Sequence, residues 1–218
     1  MLQSNGYNTA QMGKWGLRHN YSDAVKEGMK PGSRDAYDFP DKFTYSRVQN
    51  YKHYSMGQWR GIKRDAWEGG NRTPFIIRWP GKVKPNTVND TQFCLTDMMA
   101  TFAEIAGATL TDSAGEDSFS ILSLLLEDNT TFNRPPVIYH NTRGKMGIRV
   151  DDWVYIDAPS GAVEEDPDWF KKERGVIAHK EKVELFNLSE DPQQLINLAP
   201  EHPEKVKELK LMLDEMIE

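Results

Sequence analysis

The chain has 218 residues, 38% of them hydrophobic, and a formal net charge of −6, which suffices for one sizeable core or a core plus a small satellite domain. Its longest apolar run, 121–126, is interrupted by Ser123 and falls far short of the ~20 residues that a membrane helix needs, so no membrane partner is expected. The lone cysteine, Cys94, excludes an internal disulfide, and residues 1–15 lack the basic start and apolar stretch of a signal peptide.

In chain order, a turn at Asn5-Gly6 precedes a predicted strand over 9–15. Residues 20–59 hold Pro31-Gly32, Pro40 and many aromatics without a clean period. Lys42, Arg47, Lys52, His53 and Arg60 are interleaved with those aromatics. Such a mixture can stack on sugars or bases, but loop anchoring is the commoner use and no nucleic-acid partner is expected. Segment 61–81 places Lys63 five residues before Glu68-Gly69-Gly70, followed by a predicted strand over 75–79 and Pro80-Gly81. Paired glycines let a backbone turn tightly or approach a ligand closely, and a lysine beside such a turn can meet a small anion as a point charge. A helix is predicted over 97–107, with Thr96 as N-cap, a stripe of Met98, Phe102 and Ile105, and Gly107 as its stop.

The later part changes character. Strands are predicted over 136–140, 146–150, 153–157 and 183–187, the middle pair as a hairpin across Asp151-Asp152. Residues 162–182 are charge-rich and read as an exposed, mobile excursion. A helix over 203–217 starts at Pro203 and carries Val206, Leu209, Leu213 and Met216 on its apolar face. Strands followed by one amphipathic helix predict a small antiparallel sheet covered by that helix. Charge is placed unevenly: residues 1–84 carry 15 Lys+Arg against 7 Asp+Glu, and residues 85–218 carry 12 against 26. A basic first part would raise the local concentration of an anionic substrate; loss of acidic metal ligands from that part would give the same excess without any such design.

Three segments resemble the sulfatase family. Residues 61–81 are similar to the family segment that supplies a substrate-binding lysine, and Lys63 falls on it. Gly6-Tyr7-Asn8-Thr9-Ala10-Gln11-Met12-Gly13-Lys14-Trp15 resembles the signature around the other sulfate-contacting lysine, here Lys14. Glu184-Leu185-Phe186-Asn187-Leu188, Asp191-Pro192 and Asn197-Leu198 resemble the way sulfatase C-termini close. The resemblance implies an α/β fold: an incomplete alkaline phosphatase-like core over 1–133, then a small α+β C-terminal subdomain over 134–218 with an antiparallel sheet and terminal helix.

Other family features are missing from this sequence. The Cys/Ser-x-Pro/Ala-x-Arg motif that yields the formylglycine nucleophile does not surround Cys94, and no Asp-Asn-Gly precedes Lys63. Gly16 stands where the signature usually has histidine, with His19 a weak substitute. The chain therefore reads as a partial sulfatase, with a join over 38–58 where the resemblance lapses and poor order is expected. No catalytic residue and no metal ligand is assigned. Substrate binding is assigned to Lys14, Lys63 and His140, the last ending a predicted strand. The resemblance implies sulfuric ester hydrolysis by the complete protein, with calcium as cofactor, a sulfated small molecule or glycan as partner, and a periplasmic or secreted location. This chain alone is expected to be inactive and to self-associate through exposed core surface. Two alternatives stay open: a non-enzymatic binder of sulfated glycans or anions, and a phosphate-ester hydrolase of the same superfamily.

Overall fold

The computed structural model describes Val48, Lys52, Tyr54 and residues 56–217 save 112, 127–131 and 164. The predicted strand over 9–15, Lys14 and most of segment 38–58 lie outside the described residues. The elements are α1 (Glu68–Asn71), a 3-10 turn (Leu95–Asp97), α2 (Met98–Ile105), α3 (Leu122–Leu126), β1 (Val137–His140), β2 (Met146–Val150), β3 (Trp153–Ile156), α4 (Asp168–Arg174), β4 (Glu184–Asn187) and α5 (Pro203–Ile217). Contacts divide them into two units. One holds Thr73–Val137 and Arg149–Asp151; the other holds the described residues up to Arg72, Ile138–Ile148 and everything from Asp152 onward.

The four strands form one sheet in the order β1-β2-β3-β4. Connections as short as 141–145 and Asp151-Asp152 permit only antiparallel neighbours, since a parallel crossover needs a dozen residues or more. Asp151 takes the left-handed conformation, φ +51°, which a tight hairpin demands and which Asp tolerates better than most residues. β3 and β4 pair antiparallel with Trp153 opposite Asn187 and Val154 opposite Phe186.

The core of this unit joins Val154, Ile156, Phe186 and Leu188 of the sheet region to Ala66, Trp67, Ala158 and Ala162. α5 contributes Leu209 and Leu213 as buried residues, while Val206 is half-buried and Met216 exposed. The apolar face is thus shorter than its four-residue pattern, because the last turn runs past the surface it covers. The free edge of β4 is not left open. Leu185 N donates to Asn197 Oδ1 (2.9 Å), Leu198 N donates to Leu185 O (2.8 Å), and Asn197 Nδ2 donates to Val183 O (2.9 Å). Asn197-Leu198 therefore acts as an edge cover, which removes a template for strand addition.

Four expectations are corrected. Residues 73–79 are irregular and Ile76 is 93% exposed; an apolar run becomes a strand only where another strand satisfies its backbone. The stripe on α2 is misplaced: Thr101 and Ala103 are buried, whereas Phe102 is 43% exposed. The reason is polar. Thr101 Oγ1 donates to Asp97 O (2.7 Å) and accepts from Ile121 N (3.0 Å), turning that face inward. Thr96 does not cap α2; Asp97 instead accepts from Cys94 N at 2.7 Å. Gly107 does take the left-handed stop, φ +62°. Finally, segment 162–182 is anchored rather than a free excursion, since α4 buries Phe170 against Val48 and Asp166 is buried as well.

Candidate anion-binding site

Residues 62–65 close a tight turn. Asp65 N donates to Ile62 O (3.0 Å), and Asp65 Oδ2 accepts from Ile62 N (2.9 Å). The other carboxylate oxygen, Oδ1, accepts from Val163 N (2.8 Å), and Asp65 is only 3% exposed. Burial pushes its carboxyl above the ordinary carboxylate range, and the two backbone N–H groups oppose that rise. At the tip, Lys63 and Arg64 are exposed, and Arg64 holds φ +86°.

A second turn lies against the first. Asn141, 1% exposed, accepts from Arg143 N (2.9 Å) and Lys145 N (3.0 Å) through Oδ1. This is the local pattern by which Asn replaces a backbone acceptor in a turn. Thr142 N donates to Arg64 O at 3.3 Å, which joins the two turns directly. Both also rest on one loop: Ala66 N (2.9 Å) and Asn141 Nδ2 (3.2 Å) donate to Gly161 O, while Lys145 Nζ donates to Ser160 O (2.8 Å) and Ala162 O (3.0 Å).

Beneath them sits Glu184, fully buried. One oxygen accepts from Trp67 Nε1 (3.0 Å) and Gly161 N (2.7 Å); the other lies 3.1 Å from His179 Nε2 and 3.8 Å from Arg60 Nη1. Arg60 also donates to Gln194 O (2.8 Å) and stacks 3.7 Å over the Trp67 ring. Burial lowers the guanidinium pKa, which the Glu184 charge partly restores.

The paired glycines are explained by backbone contact. A Cβ on Gly69 would stand 2.5 Å from Gly61 O, and one on Gly70 would stand 2.8 Å from Ile62 O and closer still to Asp65 O. Their role is to let α1 seat against the Lys63 turn.

Of the predicted site residues, Lys63 is presented on an exposed turn, and His140 is exposed at the end of β1 with Nδ1 2.8 Å from Asn141 O. The Thr142–Arg64 bond brings the segment that follows His140 onto the Lys63 turn. Lys14 lies outside the described residues. Sequence reasoning passed over Arg64, Arg143, Asp65 and Asn141. The turn-forming signal in Asn141-Thr142-Arg143-Gly144 was available; its partnership with residue 64 was not. Among the described residues, no side-chain hydrogen bond or ion pair engages Lys63, Arg64 or Arg143. The arrangement offers exposed cations on a fixed backbone, which suits an anion. No group of three or more His, Cys, Asp or Glu among the described residues could hold a metal ion.

No protein-family model matches the chain. Over 165 residues it is 38% identical to an N-acetylgalactosamine-6-O-sulfatase of Bacteroides thetaiotaomicron, covering 74% of this chain and 30% of that protein. A sulfatase of Formosa agariphila is 33% identical over 65% of this chain and 25% of its own length. Rat arylsulfatase G is 26% identical over 75% of this chain and 34% of its own length. A solved structure from the B. thetaiotaomicron work on metabolism of multiple glycosaminoglycans superposes with a TM-score of 0.63 at 33% identity, covering 81% of this chain and 35% of that one. The chain thus spans roughly a third or less of the length of each of these relatives.

Proposed function

Because the chain belongs to the sulfatase family, we propose that the whole protein hydrolyses sulfate esters and that this chain supplies part of its sulfate-binding surface. The observation that carries the reading is the Lys63 turn, held rigid by buried Asp65 and bonded to the segment following His140. An ammonium offers charge and three donors to the oxygens of a tetrahedral anion. On this reading Lys63 and Lys14 neutralise the sulfate, and His140 lines the pocket wall. Charge stabilisation of this kind is often the largest single contribution to catalysis.

Calcium is the cation that family membership implies. Hard cations take several oxygen ligands, usually with carboxylates among them. The described residues offer no such set, so no step is assigned to the cation here. The finer architecture also belongs to this reading: residues 1–133 as part of an alkaline phosphatase-like core, and 134–218 as the C-terminal α+β subdomain. The meander covered by α5 supports the second half of it.

The test is binding of N-acetylgalactosamine 6-sulfate, followed by NMR, to the 218-residue chain and to Lys63→Gln. A loss of about tenfold, equal to about 1.4 kcal/mol, is expected. Unchanged binding by Lys63→Gln would remove the reading. Turnover of a chromogenic aryl sulfate by the chain alone should be negligible; turnover that a chelator abolishes would show otherwise.

A further inference from the structure

We infer that Arg64 and Arg143 form a second anion-binding subsite, which takes a carboxylate or sulfate on a sugar adjacent to the sulfated one. The inference rests on the reading of Lys63 as a sulfate-binding lysine and extends it from a single sulfated sugar to a polyanionic glycan.

Four observations carry it. The two turns that bear the arginines are in direct backbone contact, through Thr142 N donating to Arg64 O. Each turn is pinned from below by a buried polar side chain, Asp65 in one and Asn141 in the other, and both rest on the 160–163 loop. Such a backbone loses little further freedom on binding, and preorganisation of that kind favours affinity. Arg64 occupies left-handed backbone at φ +86°, where glycine or asparagine would sit more easily; a long cationic side chain placed against that preference points to a use for the side chain.

The fourth observation is that neither arginine is used to hold the fold, unlike four other cations among the described residues. Arg60 donates to Gln194 O, Arg72 pairs with Glu68, Arg134 pairs with Asp97, and Lys145 donates to two carbonyls. Arg64 and Arg143 are exposed and have no such side-chain partner among the described residues. The residue type selects the ligand. A guanidinium presents a planar fork that grips carboxylate or sulfate oxygens in pairs, whereas an ammonium acts as a point charge. One lysine with two arginines alongside therefore fits a ligand with more than one anionic group.

The experiment compares two probes by calorimetry on the 218-residue chain: N-acetylgalactosamine 6-sulfate and a chondroitin 6-sulfate tetrasaccharide. The double variant Arg64→Asn/Arg143→Gln keeps a residue that tolerates positive φ at 64 and alters only exposed side chains, and its circular dichroism checks the fold. Tetrasaccharide binding is expected to weaken about tenfold in this variant, with monosaccharide binding within about twofold of wild type. Lys63→Gln should weaken both. A double variant that binds the tetrasaccharide as wild type does would overturn the subsite, as would a wild-type chain that does not bind it. If Lys63→Gln changes neither affinity, the Lys63 reading fails by itself, and the arginine arm is still decided by the tetrasaccharide. A carboxyl-reduced tetrasaccharide then separates the sources. Loss of the arginine effect assigns them to the carboxylate, and its survival assigns them to sulfate.

Discussion

Asp97 and Glu184 are both fully buried carboxylates that gather loops, one in each unit, yet their apolar surroundings differ. Asp97 accepts from Cys94 N, Phe119 N and the Arg134 guanidinium. Around it Ala103 and Ile121 are buried, while Leu95, Met99, Phe102 and Leu126 remain substantially exposed and Val88 is 88% exposed. Glu184 sits instead against a core that includes Trp67, Val154, Ile156 and Phe186. Burial of each large apolar side chain contributes about 1.5–3 kcal/mol. The second unit is thus held mainly by its core, with Glu184 placing the loops. Among the described residues of the first, large buried apolar side chains are few, and it depends on its polar knot. A buried ion pair is weak evidence of net stability, but breaking it leaves an unpaired charge, so the knot matters most where apolar burial is scarce.

The largest test of this contrast is Glu184→Ala. It leaves Arg60 buried beside an empty acceptor, and a loss of about 3–5 kcal/mol in urea unfolding is expected. A loss below about 1 kcal/mol, the level of an exposed pair, would mean that the core alone sets the loops. Next comes Gly70→Ala, whose Cβ meets backbone oxygens rather than a side chain that can swing away; about 3 kcal/mol should be lost. Asp97→Asn is expected to lose about 2 kcal/mol from its charge-assisted bonds. Hydrogen exchange should show faster opening over 94–121 with β3 and β4 still protected. Loss of protection throughout the chain would mean that the knot holds both units alike.

The smallest effect is a pH dependence at Asp65. Its carboxyl is raised in the folded state by burial, so its contribution is fully present below the unfolded value and lost as pH rises through the folded one. The stability of wild type relative to Asp65→Asn should therefore grow on acidification from about pH 7 to about pH 4. A difference that shrinks on acidification would contradict the buried setting of this carboxylate.

Much of the sheet was legible because its signals are local. Met146–Val150 and Trp153–Ile156 flank a two-residue turn, and Pro203 marks the start of α5. The Lys63 turn was found by resemblance, yet what shapes it was not visible. Asp65 reaches Val163 and Trp67 reaches Glu184 across 98 and 117 residues of sequence, and no periodicity encodes such partners. The error at 75–79 has the opposite cause: the apolar pattern is there, but among the described residues no strand is hydrogen-bonded to it. On α2 the pattern misled, because a threonine hydroxyl bonded to Ile121 N outweighed the larger Phe102 in deciding which face turns inward.

The Trp67–Glu184 bond has a consequence for the order of folding. Contacts that close long loops bear their entropic penalty before they return any stabilisation, so they tend to form late. β2, β3 and the intervening hairpin close locally, whereas the turn carrying Lys63 takes its shape only once β4 has brought Glu184 into place. Trp67→Phe removes the bond that records this event. It should speed unfolding and leave the refolding rate nearly unchanged, a φ-value near zero. Equal effects on both rates would place the turn in the nucleus.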